Sequence, residues 1–410
     1  MANLKNNKIK AILFIGLGDM DVDHIDLAKT YGFYTIATNM NPDALALKKC
    51  DYKIIVNGND VNQIFTKIAS IIYKIEIEEV YTGTELFLSR SIIMKILNIP
   101  SNSLISDYSG ENKLIMKKIL IDSGIKVPQY YEVSNIIELN NLIDSIGFPI
   151  VIKPPNSLSS QGVSIVEDKK KLNNAYKIAK EISGEEPVLV EDYIIGELHD
   201  ANGFWINNNF YPCGIADKFS ANPPYTYSDR SRCPTMLNKS NQKKVYDLLK
   251  ESTKALGMIN GPVKGDFILS NNNEFYVIEL APRFHGPVGT IFSFPEVYGK
   301  KPMDLYFKTK ILNKIDYIDW NTKINYVVET RSINLSSGKI IKFDGIQELQ
   351  SDSNILYINT KLKVGDKVKE RTNNNDAHLR ITFKSKNIND IENNWINIQS
   401  KLDIVISNSI

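Results

Sequence analysis

A chain of 410 residues exceeds one ordinary core and favours two or three domains that share interfaces. Hydrophobic residues make up 43% and charged residues 23%, which excludes disorder throughout and allows a sizeable interior. The 49 basic and 47 acidic side chains, net +2, are mixed along the chain, which argues against the one-sided basic stripe that nucleic-acid binding needs. Cys50, Cys213 and Cys233 form an odd set without close pairing. They fit reduced thiols in a cytoplasmic protein and supply no CxxC ligand pair for zinc.

The opening MANLKNNKIKAILFIGLG carries an apolar run too short to span a membrane and has no small-residue cleavage site. It reads as a first strand, Ala11 to Ile15, and no membrane partner is expected. Helical spacing over Asp21 to Tyr31, a strand at Phe33 to Thr38, another at Tyr52 to Val56, a helix around Val61 to Ile72 and a strand at Glu79 to Thr82 continue the alternation. Residues 1–105 therefore read as a doubly wound α/β domain. Gly16 and Gly18 in GLGDMD follow a strand, but Asp21 stands where a dinucleotide fingerprint has its third glycine.

A second block starts with the basic amphipathic helix ENKLIMKKILIDSG, which stops at Gly124 before Val127-Pro128. Strands follow at Phe148 to Lys153 and Pro187 to Glu191, the latter before a turn at Gly196. After a polar stretch, Val263 to Leu269 and Phe275 to Leu280 flank SNNNE and read as a hairpin. From about Ile324 the pattern changes to short strands, turns at Ser337-Gly338 and Gly365-Asp366, and a helix over Ile391 to Leu402, a small α+β cap. The biased tract at 372–375 reads as a surface loop.

Nucleotide chemistry needs cations on phosphate oxygens, approachable backbone amides, a hinge for the base and carboxylates for magnesium. The middle block has a candidate for each. Lys113 lies on the basic helix and Lys153 ends a buried strand, where a cation is costly unless it meets an anion; a snorkelling surface lysine is the alternative. In PPNSLSSQGVSIV, Ser157, Ser159, Ser160 and Gly162 leave amides unobstructed, although a flexible loop has the same composition. No GKS or GKT follows, so this is not a P-loop. In LVEDYIIGELHD the peptides of Glu191, Asp192, Tyr193 and Ile194 could meet an adenine edge and Glu197 a ribose, or both glutamates are solvated strand-end charges.

Asp266 and Glu279 fall nearly opposite each other about a turn centred near Asn272. Like charges across a ladder are destabilising, so such a pair points to a cation between them, whereas a one-residue slip would send them to opposite faces. Arg283 in IELAPRFHG brings a guanidinium beside that pair. His199 and His285 lack zinc-ligand spacing and read as ordinary structural histidines. In ADKFSANPPYTYSDRSRCPT, Lys218, Tyr225, Arg230 and Arg232 are candidate contacts for an acidic or zwitterionic substrate, or members of a surface loop.

Taken in order, NKLIMKKIL, IVIKPPNSLSSQGV, VEDYIIGE, GDFIL and IELAPR resemble the ATP-grasp superfamily across nearly the whole chain, and within it the carboxylate-amine ligases of L-amino-acid type with a biotin-carboxylase-like layout. The resemblance implies an α/β (α+β) fold with a Rossmann-like pre-ATP-grasp domain at 1–105, an ATP-grasp domain at 106–318 and a C-terminal α+β domain at 319–410. It implies ATP with magnesium, or manganese in its place, as cofactors. Lys113, Lys153, Ser159, Ser160 and Gly162 would meet the phosphates, Glu191 to Ile194 and Glu197 the nucleoside, and Asp266 with Glu279 the metal. Arg283 and Lys153 would be catalytic, and Glu85, Arg230, Arg232, His285 and Gly286 would touch substrate. The expected reaction activates a carboxylate as an acyl phosphate and joins it to an amine. Both substrates are small molecules, and a homodimer is left open. Bicarbonate activation of the biotin-carboxylase kind and a non-catalytic nucleotide-binding regulator are the alternatives. Two departures bear on the details: Ala281 stands where the family often has an asparagine metal ligand, and Glu197 stands one residue after Gly196 instead of two.

Overall fold

The computed structural model describes residues 8–18, 21–286, 288–312 and 324–407. Residues 1–7, Asp19 and Met20 of the GLGDMD turn, and the expected boundary between 318 and 319 lie outside the described residues.

Four parallel strands open the chain, β1 Ile9–Ile15, β2 Tyr34–Thr38, β3 Tyr52–Ile54 and β4 Ile75–Tyr81, in the order β3-β2-β1-β4. Every residue of β1 from Ala11 onward is buried, because packed elements cover both faces of a parallel sheet. On one side Ala11, Leu13 and Ile15 pack with Ile64, Ile68 and Ile93. On the other, Ile12 and Phe14 join a core that includes Phe204, Tyr306 and Phe307 from the middle of the chain. Apolar burial thus fastens this first sheet to the rest of the molecule. Arg90 adds a polar tie, donating to Asp107 Oδ2 at 2.8 Å and to the carbonyl of Pro282 at 2.7 Å, close to the candidate site.

A second, antiparallel sheet holds β5 Tyr130–Val133, β6 Ile150–Lys153, β7 Ser164–Val166 and β8 Val188–Asp192 in the order β5-β8-β6-β7. The helix Lys169–Ser183 covers it, with Asp168 accepting from the amides of Lys170 and Lys171 as N-cap. The helix Lys113–Asp122 starts beside this sheet and is capped by Asn112.

The remaining strands are β9 Gly196–Ile206, β10 Asn209–Ser220, β11 Ser228–Cys233, β12 Gly261–Ser270, β13 Phe275–Ala281, β14 Val327–Ile333, β15 Gly338–Asp344, β16 Ile355–Asn359, β17 Lys367–Val368, β18 Leu379–Ser385 and β19 Asp403–Ser407. Eight of them form one sheet in the order β13-β12-β9-β10-β11-β14-β18-β16, and β17-β15-β19 form a small separate one. The stretch read as polar between Gly196 and Val263 holds three strands and the helix Lys239–Ala255. Its alternation was masked because buried positions of β9 carry Asp200 and Asn202 in place of apolar residues. The C-terminal segment closes the same large sheet through β14, β18 and β16, and its last helix, Ile391–Ser400, stacks Trp395 on Phe383 with ring centroids 5.7 Å apart.

No helix of the described residues is long and apolar enough to cross a membrane.

Candidate active site

Cross-strand partners in a ladder share a face of the sheet. Asp266 pairs with Glu279 on one side and Asp200 on the other, and Lys264, two residues before it, pairs with Ala281 and Asn202. Across β10, Lys218 pairs with Ser231, which pairs with Thr330, and Thr330 pairs with Thr382; Ser332 pairs with Arg380. One face of the large sheet therefore carries a continuous row of charged and hydroxyl side chains. This row borders a cavity of about 320 Å³, to which Glu85, Ser159, Ser160, Arg283, His285 and Gly286 also contribute.

A cluster of cations lies at the second sheet. Lys153 at the end of β6 and Lys117 of the helix Lys113–Asp122 both approach Glu191 Oε1, at 2.7 and 3.0 Å, and all three are buried. Burial lowers the Lys117 ammonium to about 8, against the pull of Glu191. Glu191 shows the converse: burial raises its carboxyl, but Lys153 and Lys117 outweigh that and leave it below its ordinary value. Lys113 is also buried, donates to the carbonyl of Ser157 at 2.6 Å, and has its pKa lowered chiefly by burial. Two buried lysines on one carboxylate, with a third buried lysine close by on a neutral carbonyl, leave a surplus of positive charge that an anion would offset. Sequence reasoning singled out Lys113 and Lys153 but missed Lys117. The i, i+4 spacing from Lys113 was the available signal, since it puts both ammonium groups on one helix face.

This cluster reaches the facing carboxylates. Burial raises the Glu279 carboxyl, but Lys113, Lys264 and Lys153 hold it below its ordinary value overall. Among the described residues no cation lies within 4.0 Å of Glu279, whereas Asp266 takes Lys218 at 2.9 Å on one oxygen and Lys264 at 3.3 Å on the other. No group of three histidine, cysteine or acidic side chains among the described residues is arranged for a metal. Two carboxylates with phosphate and water completing the shell is, however, how magnesium is usually held, and the unpaired Glu279 fits that donor set. Asp266 fits once it exchanges a lysine. Asp200 and Lys264 were not singled out from the sequence; the i, i+2 spacings Asp200-Asn202 and Lys264-Asp266 were the legible trace.

Arg283 donates to Glu85 at 2.8 Å, and although burial opposes it, Glu85 holds its pKa above the ordinary value. His285 Nδ1 lies 2.6 Å from Asp200 Oδ2, and its pKa is lowered because burial exceeds the pull of that carboxylate. His199 instead meets Asp217 at 2.9 Å. The hinge segment leaves the strands between Asp192 and Gly196, with Tyr193 and Glu197 exposed. A side chain at Gly196 would come within 2.2 Å of the Leu269 carbonyl, so the close approach of these strands demands glycine there.

Arg230 and Arg232 border the cavity, but their guanidinium groups are committed elsewhere. They pair with Arg331 and Glu329, on the face opposite Ser231 and Thr330. Arg232 donates to Glu329 at 2.6 Å, and Arg230 lies 3.8 Å over the Phe219 ring and 3.5 Å from Glu392. The register sets both on the face opposite Ser231, with Arg232 against a strand and Arg230 against the C-terminal helix, while both still border the cavity. Tyr225 stacks on Tyr227, with centroids 5.8 Å apart.

The small residues of the loop after Lys153 leave its amides unobstructed. The loop already has ties to protein. Ser159 and Ser160 both adopt positive φ, 54° and 62°, a conformation that costs a non-glycine residue about 1 kcal/mol or more. Asn374 fastens this strained turn: its amide donates to the Ser159 carbonyl at 2.9 Å and its side chain to Ser160 Oγ at 3.2 Å. The same side chain accepts from the amide of Ser228 and from Arg380. An Asn374→Ala variant is expected to be cleaved several-fold faster within 156–162 than the parent under limited proteolysis without nucleotide, with magnesium ATP narrowing the difference. Equal cleavage rates would show that Asn374 does not hold the loop.

Residues 146–291 match the family model of the ATP-grasp domain. Formate-dependent phosphoribosylglycinamide formyltransferase of Bacteroides fragilis is 25% identical over 284 residues, covering 68% of this chain and 71% of that protein. Alanine–anticapsin ligase of Bacillus subtilis is 21% identical over 278 residues, covering 62% of this chain and 57% of that ligase. Among solved structures, L-amino acid ligase from Bacillus licheniformis superposes with a TM-score of 0.81 at 18% identity, over 98% of this chain and 100% of that one. Biotin carboxylase from Campylobacter jejuni gives 0.70 at 17% identity, over 97% and 92%. The structural likenesses establish the fold.

Proposed function

We propose, from the premise that residues 146–291 form an ATP-grasp domain, that the protein is an ATP-dependent carboxylate-amine ligase. The observation that carries this reading is the buried cluster of Lys113, Lys117 and Lys153, whose field reaches a carboxylate without an ion pair, Glu279, beside a cavity. Such a site suits a polyphosphate with its cation. The relatives whose names describe ligation or formyl transfer support the reaction class.

In this reading residues 1–105, 106–318 and 319–410 are the pre-ATP-grasp, ATP-grasp and C-terminal units. Lys113 and Lys153 hold phosphate oxygens, the backbone of Ser159 to Gly162 covers them, and the segment from Glu191 to Ile194, with Glu197, borders the nucleoside. Asp266 and Glu279 hold magnesium, which when bound neutralises charge on the phosphates. A substrate carboxylate oxygen bonds to the terminal phosphorus and ADP departs with the electron pair of the broken P–O bond. Arg283 meets the charge that develops during this transfer. The amine then bonds to the acyl carbon, loses a proton, and expels phosphate that keeps the former carboxylate oxygen.

That bookkeeping is measurable. With oxygen-18 in the substrate carboxylate, one label per turnover is expected in the released phosphate, together with ADP. AMP with labelled AMP oxygen, or unlabelled phosphate after complete turnover, would overturn acyl-phosphate ligation.

A further inference from the structure

We infer that Arg380 is an anion-recognising subsite, and that the substrate carries a terminal anionic group, carboxylate or phosphate, besides the carboxylate that reacts. This rests on the ligase reading for the identity of the cavity as the substrate site, and deepens it by naming a substrate class.

The cations around the cavity face carboxylates, with one exception among the described residues. Lys218 and Lys264 lie against Asp266, Arg283 against Glu85, Arg232 against Glu329, Arg230 against Glu392 and His285 against Asp200. Arg380 differs: it borders the same cavity, and among the described residues no carboxylate lies within 4.0 Å of it. Its hydrogen bonds go to the neutral Asn374, at 3.1 Å to the side-chain oxygen and 3.4 Å to the carbonyl. Asp229, which also lines the cavity, has Arg371 3.6 Å away. Asp229 is thus already engaged by Arg371, and Arg380 has no carboxylate partner of its own within that distance among the described residues.

The position is built into the sheet. Arg380 is the cross-strand partner of Ser332 on β14 and of Asn359 on β16, and all three face the cavity. Hydroxyl and amide groups flanking an unmatched guanidinium make a recognition surface for oxyanions, because arginine presents a planar fork of donors that fits carboxylate or phosphate. A neutral substrate end would leave that charge half-buried and unbalanced. Burial and neighbouring Arg371 lower the Arg380 pKa to about 10, against the pull of Asp229, which agrees with a cation short of counter-charge.

The test measures discrimination, because a merely structural role of Arg380 would change stability without changing it. Binding of L-glutamate against L-glutamine, L-aspartate against L-asparagine, and O-phosphoserine against serine is followed by calorimetry on the full chain, with magnesium and a non-hydrolysable ATP analogue. The parent is expected to prefer the anionic member of at least one pair by tenfold or more; the carboxylate and phosphate arms tell the two sources apart. Arg380→Met is expected to bring that ratio near one and Arg380→Lys to keep part of it. A parent that distinguishes no pair, or a ratio unchanged in Arg380→Met, overturns the subsite. ADP release with the same compounds reports on ligation separately: discrimination without any acid-stimulated ADP sustains the subsite and removes the ligase reading, and ADP release without discrimination does the reverse.

Discussion

Glu279→Gln is expected to lower substrate-dependent ADP formation by on the order of a thousandfold, with little change in the unfolding midpoint. The two halves of this expectation have one origin. No described cation lies within 4.0 Å of Glu279, so the protein does not depend on it for a buried ion pair, and its amide fits the same space. Its charge is nevertheless stabilised by Lys113, Lys264 and Lys153, which together outweigh burial and hold its pKa below the ordinary value. A carboxylate kept ionised, unpaired and facing a cavity is available to a ligand. In the proposed chemistry that ligand is the cation on the phosphates, so removing the charge weakens transfer without disturbing the sheet. The measurement is a coupled ADP assay beside urea unfolding of the same preparation. Turnover within a few-fold of the parent would remove Glu279 from the machinery.

Glu191→Gln should act in the opposite way, on stability before turnover. Its carboxylate lies between Lys153 at 2.7 Å and Lys117 at 3.0 Å, and the substitution leaves two buried ammonium groups without an anion. Removing one partner of a buried ion pair costs about 3–5 kcal/mol, and the shared partner of two lysines belongs at the upper end of that range. The cost is set by the desolvated cations left behind, so an anion bound between them should restore part of it. Magnesium ATP is expected to raise the denaturation midpoint of Glu191→Gln more than that of the parent at equal saturation. An unchanged midpoint without nucleotide would contradict the arrangement of this cluster.

The elements most legible in the chain were those with a single dominant pattern. The apolar run of β1 reads directly as a strand buried on both faces. The count of residues about the SNNNE turn places Asp266 opposite Glu279, and the two strands pair in that register. The long hairpin of β9 and β10 was not legible, because Asp200 and Asn202 occupy buried positions that alternation assigns to apolar residues. Arg230 and Arg232 border the cavity, but the partners they meet were not legible. Their residue type was informative, but a strand turns alternate side chains to opposite faces, and only pairing with β14 reveals which face is which.

What the sequence determines by itself is local and periodic: strand and helix order, the register about the SNNNE turn, and charged residues placed where burial would be costly. Tertiary structure alone decides which of those charges meet. Lys117 and Lys153 share Glu191 although they come from separate segments, and Asn374 reaches back to Ser159 and Ser160 from more than two hundred residues away. It also leaves Arg380 as the cavity-lining cation with no described carboxylate within 4.0 Å. The physical reason is that an ionic contact depends on distance and burial after folding, and neither sequence separation nor periodicity records them.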